Sequence, residues 1–151
     1  MVPIFERSIE IAAPVEAVFA FHLDTRNVPR ITPPTQEVLD IEGEFPLVVG
    51  AIVDMRIRQA PIPTAQPWRI MVTAIEAPHL IRDEVVDNAT FSRFVHTHRF
   101  DPGPGDGTIL TDHIDWDMPS RVLVGMAKGI IDKTFGLRQE RTQALFASGG
   151  A

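Results

Sequence analysis

The longest helical pattern in this chain lies at its C-terminal end and constrains the fold more than any other feature. It opens at Pro119-Ser120 and runs from about Arg121 to Phe146, which corresponds to about 38 Å at roughly 1.5 Å per residue. Its predicted apolar stripe contains Val122, Met126, Ile130, Phe135 and Leu145. The basic residues predicted to lie largely on other faces are Lys128, Lys133, Arg138 and Arg141. Such a stripe needs a sheet to cover it.

Seven segments upstream of this helix are predicted to be β-strands, because apolar and polar residues alternate along them. Turn residues separate the segments, most clearly in the loop from Asp101 to Gly107. Short turns join antiparallel neighbours, so an antiparallel sheet is expected. The strands are predicted at residues 2–11, 36–42, 51–59, 68–76, 80–87, 91–100 and 108–117.

Two short helices are predicted between the first and second strands. Pro14 suits the first turn of a helix over residues 14–22. The residues that recur there at helical spacing are Val15, Val18, Phe19 and His22. Asp24 is predicted to cap a second helix that reaches about Arg30. His22, at the end of the first helix, is predicted to have a capping role or to pair with Asp24.

These elements predict a single α+β domain over residues 1–148, followed by a flexible tail at 149–151. A curved antiparallel sheet of about seven strands is expected to wrap around the long C-terminal helix, with the two short helices after the first strand. Side chains do not fill the whole concavity of a strongly curved sheet around one helix. An internal cavity is therefore expected.

Charge and composition argue against several classes of function. The 151 residues carry a formal net charge of −6, which argues against nucleic acid because phosphate binding needs clustered Lys and Arg. The chain has no cysteine, so disulfides and thiolate sites are excluded. Its first residues lack a signal-peptide pattern, and no apolar run reaches the roughly 18 residues of a membrane span. A cytoplasmic protein without membrane insertion is expected.

Four segments of the chain resemble one protein family. Residues 5–22 (FERSIEIAAPVEAVFAFH) resemble the opening of bacterial SRPBCC proteins, in which a strand ends in Ala-Pro before a helix containing Val-Phe. Residues 31–34 (ITPP), 91–100 (FSRFVHTHRF) and 107–112 (GTILTD) resemble elements of one bacterial branch, related to polyketide cyclase/dehydrase-like proteins. The resemblance to the START-like SRPBCC superfamily implies the helix-grip fold and a ligand cavity, but no particular reaction.

The clearest local candidate for a functional site is the pair His96 and His98. Their spacing of two places both imidazoles on one face of a strand, and the following hairpin is predicted to bring Asp112 near His98. On a cavity face they are predicted to contact a polar group of a ligand, or to act with Asp112 as general acid and base. Two alternatives stay open. The histidines face solvent or satisfy one another and nearby carboxylates, or they hold a metal with Asp112 or Glu84 as third ligand.

Further ligand-binding residues are predicted from side chains that face the expected cavity. Arg7 shares a strand face with apolar residues and is a candidate anchor for a carboxylate, whereas Arg56 and Arg58 are predicted to lie on the solvated face. Gly125 and Gly129 are predicted to leave room beside the long helix, for close packing or for a ligand. The complete predicted set is Arg7, Trp68, Phe91, Phe94, His96, His98, Trp116, Met126 and Ile130.

The sequence therefore predicts a protein that binds or carries a small, mostly apolar molecule of lipid, polyketide or aromatic type. Two other functions are open: a cyclase-, aromatase- or dehydratase-like enzyme that uses the cavity histidines as acid and base, and a non-catalytic regulatory or interaction module. The small apolar ligand is the expected partner, and no metal or cofactor is expected. An exposed edge strand can also support a homodimer.

Overall fold

The computed structural model describes residues 3–150, which form one antiparallel sheet with a long helix packed against it. The strands are β1 (Ile4–Ile11), β2 (Gln36–Glu42), β3 (Ile52–Gln59), β4 (Gln66–Glu76), β5 (Leu80–Val86), β6 (Arg93–Pro102) and β7 (Thr108–Asp117). The helices are α1 (Val15–His22) and α2 (Arg121–Ala147), with 3₁₀ helices at Thr25–Arg30 and Pro104–Asp106. No helix in the described range combines the length and apolarity needed to cross a lipid bilayer. Val2, the predicted start of the first strand, and Ala151 lie outside the described residues.

The strand order explains how the chain encloses a space. The order is β1-β7-β6-β5-β4-β3-β2, and each neighbouring pair is antiparallel. Because β1 and β2 lie at opposite edges, the intervening chain must cross the sheet, and α1 and the first 3₁₀ helix make that crossing. Register shifts at Leu39/Glu42 and Val72/Ala74 mark bulges, which bend strands. The predicted fold class, a curved sheet of seven strands around a long C-terminal helix, is confirmed.

Side chains near the predicted positions begin the helices. The Ser120 hydroxyl accepts a hydrogen bond from the backbone N–H of Leu123 at 3.4 Å, at the start of α2. Asp24 accepts one from the backbone N–H of Arg26 at 3.0 Å and so caps the first 3₁₀ helix. Pro14 lies at the N-cap of α1, one residue before the helix begins. These local signals confirm the starts of the three helical segments to within about a residue.

The face of α2 that packs in the core differs from the predicted apolar stripe. Val122 is 90% exposed and Met126 is 60% exposed, so the first turns of α2 direct these two side chains to solvent. The residues that pack inward are Val124, Ala127, Ile131, Thr134, Phe135, Gln139 and Thr142. In the first turns the inward residues are Val124 and Ala127 and not the predicted Val122 and Met126. In the later turns three inward residues are polar, so a pattern based on apolar residues alone does not locate this face.

Gly125 and Gly129 lie on the exposed part of α2, and a Cβ atom at either position would meet nothing within 4 Å. The predicted room beside these glycines is therefore open space. Replacing either by alanine is expected to raise the free energy of unfolding by about 0.5–1 kcal/mol, because glycine weakens a helix interior by that amount. Urea unfolding measures the change. Gly50→Ala is the contrasting variant, since its φ of +89° disfavours a side chain and predicts a loss of stability.

Three clusters of buried apolar side chains fill most of the concave side of the sheet. The first lies beneath α2 and includes Phe94. The second joins α1 to the middle of the sheet and includes Ile81. The third lies on β3 and β4 and includes Leu47. One residue from each cluster lines the same cavity, so the three clusters meet around a space that they do not fill.

Candidate functional site

A cavity of about 200 Å³ lies between the sheet and α2. Strands β3 to β6, the edge strand β2, α1, the first 3₁₀ helix and α2 all contribute to its wall. Most of the lining side chains are apolar: Phe21, Val28, Ile31, Val38, Leu47, Met55, Ile57, Trp68, Ile70, Ile81, Phe91, Phe94, Ile130, Ile131 and Phe135. A largely apolar wall with a few polar groups is typical of small-molecule sites.

Three rings, Trp68, Phe91 and Phe94, form what we call the aromatic wall. They meet edge to face, with ring centroids 5.1, 5.2 and 5.7 Å apart, an arrangement that aromatic pairs prefer. The Asn88 side-chain oxygen accepts hydrogen bonds from the backbone N–H groups of Thr90 and Phe91, each at 2.9 Å. This Asn-centred turn holds the segment that carries Phe91.

Five ionisable side chains form another part of the wall, which we call the polar floor: His22, Asp83, His96, His98 and Arg138. Strand register brings most of them together, since His98 lies directly opposite Asp112 on β7, and Asp83 lies directly opposite His96 on β5. His96 and His98 share the inward face of β6 because side chains alternate along a strand. The hairpin therefore places Asp112 beside His98, as its length predicts.

Asp112 lies behind the floor and contacts both histidines of β6. Nε2 of His96 donates a hydrogen bond to Asp112 Oδ1 at 2.7 Å, and Nδ1 of His98 lies 3.0 Å from the same oxygen. The Gln139 side chain donates to Asp112 Oδ2 at 2.8 Å and to the backbone carbonyl of Arg7, also at 2.8 Å. The proton of neutral His96 is therefore on Nε2, which leaves Nδ1 as an acceptor.

Burial and charge push the pKa values of the two histidines apart. Burial and the neighbouring His98 lower the pKa of His96, and they outweigh its bond to Asp112. Burial also lowers the pKa of His98, but Asp112 and Asp83 outweigh it and raise that pKa to about 9. Burial raises the pKa of Asp112, yet hydrogen bonds from the histidines hold it well below its usual value. At neutral pH, a neutral His96 thus lies against a charged His98, with ring centroids 3.8 Å apart and the ring planes tilted by 34°.

His22 belongs to the polar floor, which corrects its predicted pairing with Asp24. Its Nδ1 donates to a backbone carbonyl of α1 at 2.8 Å, and its ring lies 5.3 Å from that of His98 and 5.2 Å from that of Phe100. Asp24 instead pairs with Arg26 at 2.7 Å. Burial, followed by repulsion from His98, lowers the pKa of His22 to about 3, so this imidazole is neutral at physiological pH.

The buried His22 is expected to weaken the protein in acid. Its folded pKa of about 3 lies below the ordinary 6.5, so the unfolded chain takes up the proton first and stability falls as pH drops from 6.5 towards 3. One such proton contributes a slope of about 1.4 kcal/mol per pH unit. His22→Leu should reduce the slope between about pH 7 and about pH 5 by about 1 kcal/mol per pH unit in urea unfolding, since the unfolded imidazole is only partly protonated at the upper end of this range. Phe19→Leu, on the same helix, should leave the slope unchanged, and a parental slope in His22→Leu would contradict this role.

Arg138 lines the cavity, although the helix pattern predicts another face for it. Its guanidinium carbon lies 4.9 Å from the centre of the Phe135 ring, a cation–π distance. Burial lowers the pKa of Arg138, and the nearby Asp112 and Asp83 oppose that effect. Arg138 is half-buried and lines the cavity.

One group in the floor has the spacing needed to hold a metal ion. Ligand atoms of Asp83, His96 and His98 lie within 4.8 Å of one another. Asp83 is the third candidate ligand, whereas the sequence predicts Glu84 or Asp112 in that role. Glu84 projects from the opposite face of β5, and Asp112 already accepts a hydrogen bond from His96. Metal ligation requires neutral imidazoles, whereas His98 is protonated at neutral pH and an arginine lies nearby. The electrostatics favour a neutral or anionic group over a cation.

Six of the predicted ligand-binding residues lie in the cavity wall: Trp68, Phe91, Phe94, His96, His98 and Ile130. Arg7 does not, because its side chain is 41% exposed, reaches over Gly136 of α2 and lies 3.7 Å from Glu140. Trp116 is 1% exposed in the core beneath α2, and Met126 faces solvent. Among the described residues, neither β1 nor β7 reaches this cavity, since α2 fills the concave side of the sheet there.

Fold and cavity together define a START-like helix-grip protein, in which a curved antiparallel sheet holds a long C-terminal helix. The family model described as "Polyketide cyclase / dehydrase and lipid transport" matches residues 3–142, and the chain belongs to that family. No curated protein sequence matches the chain significantly.

Solved structures of the same fold span almost the entire chain at low sequence identity. A protein from Thermus thermophilus has a TM-score of 0.77 and 14% identity, covering 99% of this chain and 100% of its own. Norcoclaurine synthase from Thalictrum flavum has a TM-score of 0.72 and 12% identity, with coverage of 100% and 98%. Major latex-like protein 151 from Panax ginseng has a TM-score of 0.70 and 18% identity, with coverage of 95% and 96%. These similarities concern the fold.

Proposed function

We propose that this protein binds a small, mostly apolar molecule in the cavity between the sheet and α2. The observation that carries the proposal is a cavity of about 200 Å³ whose wall is mostly apolar. An engineered apolar cavity of about 150 Å³ in another protein binds benzene, so the space suits a molecule of one ring or a short chain. One similar structure, of norcoclaurine synthase, was solved with dopamine and hydroxybenzaldehyde, which supports a small aromatic or apolar ligand.

Native mass spectrometry of protein purified from its own host tests this function. A bound molecule should appear as a defined mass above that of the polypeptide and should be released on unfolding. Protein purified without a bound molecule should then take up small apolar compounds in calorimetry. Absence of any bound mass, together with no uptake of such compounds, would contradict a ligand-binding role.

Acid–base catalysis on a polyketide-like substrate is a second candidate, favoured by the opposite pKa shifts of His96 and His98 in the cavity wall. Such a pair supplies a neutral base beside a charged acid. Replacing both histidines by glutamine discriminates between the two functions, because an enzyme variant should still bind the molecule but stop converting it. A carrier should release the same molecule that it binds, with or without the histidines.

A homodimer through a sheet edge stays a prediction. The two edges are β1 and β2, and α2 packs along β1. The β2 edge carries a bulge and pairs its exposed acidic residues Glu37 and Asp40 with arginines of β3, features that protect an edge from pairing. Analytical ultracentrifugation would show whether either edge joins two chains.

A further inference from the structure

Among the charged side chains of the polar floor, Arg138 has the fewest hydrogen-bond and ion-pair partners. Asp112 contacts both histidines of β6 and Gln139. Asp83 lies 3.7 Å from Nε2 of His98. Within residues 3–150, by contrast, the Arg138 guanidinium makes no ion pair and no hydrogen bond, and its contact is with the face of the Phe135 ring.

An arginine in such a position has unused binding capacity. A guanidinium carries five N–H donors in a planar fork that matches the two oxygens of a carboxylate. Because Arg138 is half-buried, water solvates these donors incompletely, so a group that accepts from them in the cavity gains charge-assisted hydrogen bonds. Burial lowers the pKa of Arg138, but an arginine remains charged at neutral pH.

The position of Arg138 also places its charge next to the apolar part of the cavity. Thr134, Phe135 and Arg138 lie within one turn of α2 and line the same space. The Phe135 ring lies 6.2 Å from that of Phe94 in the aromatic wall and 5.2 Å from that of His96. A ligand with a charged end at Arg138 therefore has apolar surface available for the rest of its length.

We propose that the ligand of this cavity is a monocarboxylic acid with an apolar body, and that Arg138 binds its carboxylate while the aromatic wall contacts the body. This inference rests on the proposed binding function and specifies the chemistry of the same site.

The charges around Arg138 favour a singly charged group. The floor contains two cations, Arg138 and His98, and His98 is already flanked by Asp83 and Asp112. A phosphate dianion would meet two carboxylates and one unpaired cation, which is unfavourable. The two cations and two carboxylates of this region balance, so it carries no net positive charge for a dianion. A carboxylate requires only the Arg138 guanidinium, with which it forms the bidentate pair that arginine prefers.

Binding of acids and matched amides tests the inference. The probes are octanoate and trans-cinnamate, each compared with its primary amide by calorimetry on the full chain. The acids should bind about 10- to 100-fold more tightly than the amides, the range expected for charge-assisted hydrogen bonds. Arg138→Met should abolish this preference while amide binding persists. Arg141→Met, an exposed arginine on the same helix, should retain it.

Each outcome decides a different point. Equal binding of acids and amides to the parent protein, or a preference that survives in Arg138→Met, would overturn the carboxylate inference and leave ligand binding intact. Failure of all four probes to bind would remove the proposed function together with the inference. Circular dichroism shows whether Arg138→Met is folded. If it is not, Arg138→Lys, which keeps the charge but loses the planar fork, should show a reduced preference.

Discussion

Replacing Asp112 by alanine is expected to lower the free energy of unfolding by about 3–5 kcal/mol, the range for removing one partner of a buried ion pair. The Asp112 side chain is 9% exposed and contacts three side chains of the interior, those of His96, His98 and Gln139. Removing Asp112 takes away one of the two carboxylates beside the charged His98. It also removes an acceptor from the buried N–H donors of His96 and Gln139. Urea unfolding at about pH 6 measures the loss.

The pH dependence of this loss identifies its cause. Asp112 has a folded pKa well below 3.8, so its contribution is present above 3.8 and disappears as pH falls. His98 has a folded pKa of about 9 against an ordinary 6.5, so its contribution is complete below 6.5 and disappears as pH rises through 9. The penalty of Asp112→Ala should therefore be largest between these two limits and smaller at about pH 10.

Asp115→Ala is the matched control for this prediction. Asp115 is on the same strand, three residues away, but projects outward and pairs with Arg93 at 2.7 Å near the surface. Surface pairs contribute about 0–1 kcal/mol, so its loss should be small. A penalty for Asp112→Ala no larger than that of Asp115→Ala would show that the buried network adds little stability.

Local sequence signals predict the strands of this protein well. The last strand, predicted at residues 108–117, is observed as Thr108–Asp117, with every second residue buried. Alternation and turn residues determine such boundaries because both act over a few positions. The packed face of α2 depends instead on which side chains the sheet can accept, and it includes buried Thr134, Gln139 and Thr142. A search for hydrophobic periodicity does not detect these polar residues.

The candidate site shows the same division between local and non-local information. The spacing of His96 and His98 predicts a shared face, and the hairpin places Asp112 near them. Asp83 lies between the inward-facing Ile81 and Val85 on β5. This position identifies Asp83 as a cavity residue only when the inward face of β5 is already known. For Arg138 the sequence offers little, because a lone arginine on a helix is usually solvated.

Two features of the sequence around His22 predict different positions for its side chain. It continues the helical spacing of the buried Val15, Val18 and Phe19, which places it on the inward face of α1. The nearby acidic residue Asp24 suggests a surface pair instead. A histidine at the end of an apolar stripe is thus better assigned from the stripe than from its nearest charged neighbour.

Ile57→Trp is expected to reduce binding of an uncharged probe such as trans-cinnamamide by at least about 100-fold, or about 2.7 kcal/mol. Ile57 lies on β3 directly opposite Val38 of β2, and both side chains line the cavity. An indole at this position occupies space that the ligand requires within about 200 Å³. Because the probe has no charge, the loss reports on the cavity and not on Arg138.

The same substitution should leave the fold intact. Overpacking a filled core costs about 1–3 kcal/mol, but here the added ring enters unfilled volume, and filling a cavity commonly adds stability. Ile52→Trp is the matched control, since this residue is on the same strand, is 40% exposed and projects from the opposite face. Ile52→Trp should bind the probe like the parent protein. If Ile57→Trp also does so while folded, the ligand binds elsewhere, because no molecule of that size shares the cavity with an indole.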